Sequence, residues 1–515
     1  MNESFVPPAS DTAPRRAEPI PLKPIPLKDA SPALDYNFAR ENGVLVTRED
    51  GSPILLHRAH AALPALLEIQ RLYGSLTYRQ VSDKAFEATL QSLYSDSASA
   101  AADFDVNDDF DLTSLADSAA EVDDLLDNRD DSPVIRLINA LLLQAIKEGA
   151  SDIHVEVLER RLVVRFRIDG VLREIIEPKR ALAPLLVSRI KVMARLDIAE
   201  KRVPQDGRVT LRLGGHSVDV RVSTIPTQHG ERVVMRILDR GSVQLELRSL
   251  GLNSRDRELI ERLLHRPHGM ILVSGPTGSG KTTTLYAALT RLNDRHRNIM
   301  TVEDPIEYEL DGIAQTQVNP RTDMTFARGL RAILRQDPDV IMVGEIRDQE
   351  TAEVAVRASM TGHLVLSTLH TNSAVGSITR LIDIGVERYL LAPMVVGLMA
   401  QRLVRRLCQP CRVRSEASEA DVALVEGKIE LGEPIWRPGG CEQCHGDGYR
   451  GRLGVYEVVG VDRELEAMIH DGASEAQMLA HAHRRNPSLL DDGVAKLRDG
   501  LTTATEVARV VREEA

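Results

Sequence analysis

Residues 271–284 read Ile-Leu-Val-Ser-Gly-Pro-Thr-Gly-Ser-Gly-Lys-Thr-Thr-Thr. An apolar run leads into Gly275, Pro276, Thr277, Gly278, Ser279, Gly280, Lys281, Thr282 and Thr283, and this spacing of glycines ahead of Lys-Thr is that of a phosphate-binding loop. The glycines let backbone N–H groups converge on a triphosphate. Lys281 reaches the β and γ groups, and the Thr282 hydroxyl is placed to ligate Mg²⁺. A helix beginning near Thr283 would add the positive end of its dipole. The implied chemistry is binding and hydrolysis of a nucleoside triphosphate.

Hydrolysis also needs an acid on the metal side and a group that orients water. Asp339-Val-Ile-Met-Val-Gly-Glu345 is an apolar strand ending in a carboxylate, with Glu345 placed to hold Mg²⁺ through water. Thr301-Val-Glu-Asp-Pro-Ile-Glu307 is a second such strand, in which Glu303 or Asp304 can polarise water. Spacing does not rank Glu303 against Glu345 as general base. Thr361-Gly-His363-Leu-Val-Leu-Ser-Thr-Leu-His370-Thr-Asn372 sets two histidines at opposite ends of an apolar strand. An imidazole beside a γ-phosphate can sense whether that group is present, so His363 and His370 are both candidates.

All four cysteines fall in two pairs, Cys408-x-x-Cys411 and Cys441-x-x-Cys444. This is the pattern of a tetrahedral Zn²⁺ site of four thiolates, structural because no position is left for water. Arg402, Arg405, Arg406, Arg412 and Arg414 give this region local positive charge, which keeps open an alternative: a nucleotide-gated protein that binds nucleic acid through the zinc loop. Overall composition argues against it. Thirteen acidic residues against Arg129 between Ser95 and Ser132 account for the formal charge of −12, so the remainder is near neutral, and aromatics are only 3%. No nucleic-acid partner is expected.

The elements that must carry these groups can be read in outline. With 515 residues, 43% apolar and 27% charged, the chain has the composition of a globular protein of roughly three to four folding units. The longest mostly apolar stretch, Leu390 to Ala400, is about half of what crosses a bilayer. The N-terminus lacks a basic start and an apolar core, so no export signal is expected and the address is cytoplasmic. Residues 1–32 are rich in proline and read as a disordered tail, and 33–94 as a small α/β module. Residues 95–132 read as an acidic flexible linker. From 133 to 243 a helix and two hairpins are expected, the hairpins turning at Asp169-Gly170 and Gly214-Gly215. From 244 to 400 helices alternate with the strands Met270–Val273, Ile299–Val302, Val340–Val343 and Leu364–Ser367, which argues for a largely parallel sheet covered by helices. After Asn372 strand signals thin out: 401–455 holds the cysteines and 456–515 reads as helical.

The phosphate loop, the Thr-Val-Glu-Asp-Pro-Ile-Glu box, the Gly-Glu-Ile-Arg-Asp end of the second acidic strand and the Thr-Gly-His box together resemble the ATPase superfamily of type II secretion and type IV pili. The resemblance runs over 133–515. The tetracysteine element points to the pilus-assembly or type II secretion branches, and Ala150-Ser-Asp-Ile-His154, Arg167-Ile-Asp-Gly-Val171 and Asp197 to Arg208, with a short N-terminal module, look most like type II secretion. It implies an α/β fold with a RecA-like ATPase domain preceded by a PAS-like module, followed by a zinc loop and a helical C-terminus. The activity implied is ATP hydrolysis with Mg²⁺ by a motor that powers export through pseudopilus assembly, with a type IV pilus assembly ATPase as the alternative. Implied partners are five further copies in a hexamer, the cytoplasmic domain of an inner-membrane L-type protein on the N-terminal module, and an inner-membrane platform protein. The motor would meet the cytoplasmic face of the bacterial inner membrane only through them. By the family pattern Arg221 and Arg236 approach the γ-phosphate, from the chain's own or the next subunit's 133–243 module.

Overall fold

The computed structural model describes residues 38–90 with short gaps, 111–119, 133–239 apart from 214–215, and 246–511. The expected tail 1–32, most of the acidic stretch and the Gly214-Gly215 turn lie outside the described residues.

In the N-terminal module β1 (Val44–Glu49) and β2 (Ser52–His57) form an antiparallel hairpin, and β3 (Thr77–Gln80) joins β2 in parallel. The parallel pairing needs a crossover, which the helix Leu63–Tyr73 supplies. Alternation splits the strands between two small cores. Leu45, Ile54 and Leu56 meet Phe86 and Leu90, while Val44, Val46 and Leu55 meet Ala65 and Ile69.

The acidic stretch is not wholly a tether. Leu112, Ala116 and Ala119 form one buried stripe of a helix, Leu112–Ala119, that packs with the helix Pro133–Lys147. Apolar residues spaced by four and three suffice for a helix face even among many acids. The following module is a six-stranded antiparallel sheet: β4 (Ala150–Val157), β5 (Leu162–Ile168), β6 (Val171–Ile176), β7 (Gln205–Leu213), β8 (His216–Thr227) and β9 (Gly230–Asp239). The order is β6-β5-β4-β9-β8-β7. Both expected hairpins are present, and Asp169 and Gly170 turn with positive φ. One face buries Ile153, Val155, Phe166, Val220 and Met235 with the helix Ala183–Met193. The other carries charge, because β4 alternates Asp152, His154 and Glu156 toward arginines of β5 and β9. Asp152 lies opposite both Arg167 and Arg236.

The catalytic sheet comprises β10 (Gly269–Ser274), β11 (Ile299–Glu303), β12 (Ala314–Gln317), β13 (Val340–Val343), β14 (Leu364–Leu369) and β15 (Val395–Leu407). A separate hairpin, β16 (Val413–Glu416) with β17 (Pro434–Arg437), precedes the last strand, β18 (Tyr449–Gly460). The order β12-β11-β13-β14-β10-β15-β18 is parallel except for β18, which runs antiparallel to β15. Helices cover both faces, so β10, β13 and β14 are buried at every position.

Here the structure corrects the expectation that strands fade after Asn372. β15 and β18, with 13 and 12 residues, are the longest strands of this sheet. The reason is that Leu, Met, Ala, Gln and Arg make up nine of the thirteen residues of β15, and those residues favour helices in isolation. A domain boundary at 400/401 therefore falls inside β15. The boundary at 455/456 likewise falls inside β18, and the expected helices, Arg463–Asp471, Glu475–His483, Leu489–Arg498 and Ala504–Val511, follow it. No helix among the described residues is long and apolar enough to cross a membrane.

Candidate active site

In a parallel sheet, ligands bind beyond the carboxyl ends of the strands. β10 ends at Ser274, and the loop that follows needs its glycines for two different reasons. Gly275, Gly278 and Gly280 have φ of +143°, +81° and +89°. A Cβ at Gly275 would lie 2.5 Å from the Gln401 carbonyl oxygen, and one at Gly280 would lie 2.9 Å from Gln401 Nε2, whereas Gly278 has open space. Gly278 thus answers to backbone conformation alone.

Pro276, Thr277, Gly278 and Thr282 are exposed on the rim, Thr283 is half-buried, and Ser279 and Lys281 are buried. The helix Lys281–Leu292 starts directly at Lys281 rather than two residues later. Lys281 Nζ donates to Gly275 O at 2.6 Å and to Pro276 O at 3.2 Å. Burial, helped by the nearby Arg402 charge and opposed by Glu345, brings its pKa down to about 8. Ser279 Oγ is buried without a hydrogen-bond partner. Its orphaned oxygen, the glycine cradle and a buried cation fit a phosphate group.

Glu345, just beyond β13, has a side chain only 12% exposed; Arg347 Nη2 is 2.6 Å from one of its oxygens and His370 Nε2 is 3.5 Å from the other. Burial, with the Lys281 charge, holds His370 below the usual imidazole range. Lys281, Glu345 and His370 therefore converge from the ends of three neighbouring strands, β10, β13 and β14. Glu303 is placed differently. It is buried at the end of β11 and accepts from Tyr286 Oη at 2.5 Å, Thr301 Oγ1 at 2.6 Å and Gln315 Nε2 at 3.0 Å. Asp304 beside it is exposed.

His363 requires a correction. Leu364 pairs with Gly269 and Leu369 with Ser274, so β14 runs alongside β10 in the same direction. His363 sits before the start of both strands, where its carbonyl accepts from Gly269 N at 3.2 Å and its Nδ1 is 2.8 Å from Ala358 O. Six residues at ~3.3 Å each put it about 20 Å from the phosphate loop. Parallel strands cannot bring both ends of β14 to one place, so of the two only His370 stands with Lys281 and Glu345.

The two arginines reach other acids within this chain. Arg221, on β8, donates through Nη2 to Ile306 O at 2.9 Å, and its Nη1 lies 3.2 Å from Glu307 Oε2. It ties the 133–243 module to the acidic box. Arg236, on β9, donates through Nε to Asp152 Oδ1 at 2.9 Å and is 59% exposed.

The cysteines do meet. All four Sγ atoms lie within 4.8 Å of one another, with Cys408–Cys441 and Cys441–Cys444 at 3.8 Å and Cys411–Cys444 at 3.7 Å. Four sulfurs at Zn–S bonds of ~2.3 Å in a tetrahedron stand about 3.8 Å apart. Backbone N–H groups of Gly440, Cys441 and Gly448 point at sulfur from 3.2 Å, supporting thiolate charge. The donor set and spacing fit zinc.

Sequence reasoning passed over Gln401 and misread Arg402. Both are buried, at 1% and 3% exposure, on β15 beside the phosphate loop. Arg402 Nη2 donates to Asn372 O at 3.1 Å, in the turn after His370. The neighbouring arginines are also engaged: Arg405 pairs with Glu506 at 2.9 Å over the Tyr449 ring, and Arg412 stacks on Trp436. Of the five, three are therefore held inside the fold rather than offered to a polyanion. The signal for Gln401 and Arg402 was two polar residues interrupting an apolar strand.

Residues 127–509 match the family described as type II/IV secretion system protein, and residues 33–94 match a domain family of GSPII protein E. The chain is 56% identical to the type II secretion system protein E of Pseudomonas aeruginosa, over 96% of this chain and 99% of that one. It is 53% identical to the type II secretion system ATPase E of Vibrio cholerae, over 93% and 97%. Among solved structures, the pilus retraction motor PilT with bound ADP is similar over 72% of this chain and 95% of that one, with a TM-score of 0.50 and 27% identity. The ATPase DotB of Legionella pneumophila shares the fold at a TM-score of 0.55, 20% identity and coverage of 73% and 96%.

Proposed function

The chain belongs to the type II/IV secretion system protein family, in its type II secretion branch, and on that premise we propose how its residues divide the work of the motor. It is an ATP-hydrolysing enzyme of secretion. The loop 275–283 holds the phosphates, with Lys281 leaving its own carbonyls for the β and γ groups. Thr282 and Glu345 hold Mg²⁺, which supplies charge neutralisation at the γ-phosphate. We assign the orienting of water to Glu345 as well, because its contacts are the exposed Arg347 and His370, while the hydrogen bonds on Glu303 favour a supporting part. The observation that carries this reading is the convergence of Lys281, Glu345 and His370.

Arg221 and Arg236 then belong to assembly. We assign them to γ-phosphate charge when 133–243 modules are arranged in a hexameric ring, and the exposure of Arg236 supports this. Guanidiniums in that position contribute about 10³ to 10⁵ in rate. Residues 33–94 dock the cytoplasmic domain of an L-type inner-membrane protein, supported by their match to a GSPII protein E domain and by the exposed Leu63 and Leu67 on one helix. A platform protein receives the motion, and the motor works from the cytoplasmic face of the inner membrane. Zn²⁺ on Cys408, Cys411, Cys441 and Cys444 shapes the loop between them and does no chemistry.

ATP turnover by the assembled protein tests the core of this. Lys281→Ala should lose at least about 10²-fold in kcat/KM. Turnover equal to the parent under the same assembly conditions would overturn the reading. Pilus assembly, the other reading in the same class, predicts that residues 33–94 engage a pilus platform component instead of an L-type protein.

A further inference from the structure

The loop that binds phosphate is shaped by a residue from a different strand. β15 runs beside β10 with Ala400 opposite Ser274. Beyond Ser274 the chain leaves the sheet as the phosphate loop, so Gln401 is the first β15 residue to face that loop. Its carboxamide makes two buried hydrogen bonds. Nε2 donates to Ser279 O at 2.6 Å, and Oε1 accepts from Thr284 Oγ1 at 2.8 Å. Because a carbonyl can only accept, the amide orientation is fixed by Ser279.

We propose that Gln401 is a positioning residue for nucleotide binding, which locks the Ser279–Gly280 peptide so that the Gly280 N–H faces the phosphate cradle. The peptide unit is planar and trans, so its C=O and N–H point in opposite directions. Holding the oxygen against Gln401 aims the N–H away from β15 and toward the cradle. Without that hold, Gly280 at φ +89° is free to let the plane rotate, since glycine tolerates both signs of φ. Thr284, in the first turn of the helix Lys281–Leu292, anchors the other end, so loop and helix are referred to one rigid strand. The inference rests on reading the loop as a nucleotide site.

The test measures the Kd of a fluorescent ATP analogue with Mg²⁺ on the full chain, together with kcat and KM. Gln401→Met keeps the volume and removes both hydrogen bonds; Kd and KM should rise at least about tenfold with kcat changed by less than about threefold. Gln401→Glu puts an acceptor against the Ser279 carbonyl, and binding should weaken at neutral pH and recover as the pH falls and the new carboxyl gains a proton to donate. A purely structural role would lower the melting temperature of Gln401→Met and leave the Kd of the folded protein unchanged. Thr284→Val should weaken binding by a few-fold and add nothing to Gln401→Met in the double variant. If the Met variant does not fold, the other two decide. Parent-like Kd in Gln401→Met, or a Gln401→Glu affinity with the parent's pH profile, overturns the proposal. A parent that fails to bind the analogue, or a Lys281→Ala variant that binds it as well as the parent, would overturn the nucleotide reading instead.

Discussion

The phosphate loop and the cysteine cluster are both short segments that gather ligand atoms, yet they are finished to different degrees. The sulfurs of Cys408, Cys411, Cys441 and Cys444 already stand at zinc spacing, and nearby backbone N–H groups support them. Around the phosphate loop, Lys281 is turned back onto the loop's own carbonyls and Arg236 is paired to Asp152 in another module. A structural metal stays, so its site can close on local residues. A nucleotide must enter and leave, so its site draws one group from each of several strands and waits for the rest.

Removing the metal should have the largest effect. Zinc stripped by a chelator, or lost in Cys411→Ser with Cys444→Ser, should cost on the order of 10 kcal/mol in the stability of the 408–449 loop. Limited proteolysis and melting, alongside elemental analysis, would read this. Less than about half a zinc per chain in protein purified without chelator would mean that the four cysteines do not form a zinc site. β15 joins Gln401 to Cys408, so the stripped protein should also bind nucleotide more weakly.

The two acids come next. Glu345→Gln should lower kcat by about 10² to 10³, whereas Glu303→Gln should act mainly on melting temperature, since three donors converge on that buried carboxylate. A larger kcat loss in Glu303→Gln would mean that its network opens when nucleotide binds.

The pKa of Lys281 in the free protein is lowered to about 8, and phosphate binds the ammonium form. Below pH 8 the proton is already present. Above it, binding must take one up, so nucleotide affinity should fall by up to about tenfold per pH unit between 8 and 10. Affinity independent of pH over that range would contradict a buried, weakly basic Lys281. The histidines should give the smallest effects. His370→Ala should lower kcat/KM about tenfold, while His363→Ala should stay within about twofold, as measured by steady-state turnover.

Much of the fold was legible because apolar runs alternate with helical periodicity from Leu252 onward, and the Asp169-Gly170 turn marks its hairpin. β15 was not, since nine of its thirteen residues are Leu, Met, Ala, Gln or Arg, which favour a helix until a neighbouring strand pairs with them. The Leu112–Ala119 helix was hidden for the opposite reason: its three buried residues are few among acids, and they gain something to bury against when the Pro133–Lys147 helix packs on them. In the site, the loop, Glu345 and the cysteines were readable from local spacing, but the roles of His363, Glu303 and Gln401 were not.

The ligand chemistry is written in local stretches of the chain: a glycine-spaced cradle ending in Lys281-Thr282, a carboxylate closing an apolar strand, and two Cys-x-x-Cys pairs. These are settled locally, because neighbours three to six residues apart are held together by the backbone whatever the rest of the chain does. Folding settles which histidine meets Glu345, which acid stays free of buried donors, and which residue of β15 lies against the loop. Strand direction and register carry that information, and they arise from pairings between residues that stand far apart in the chain.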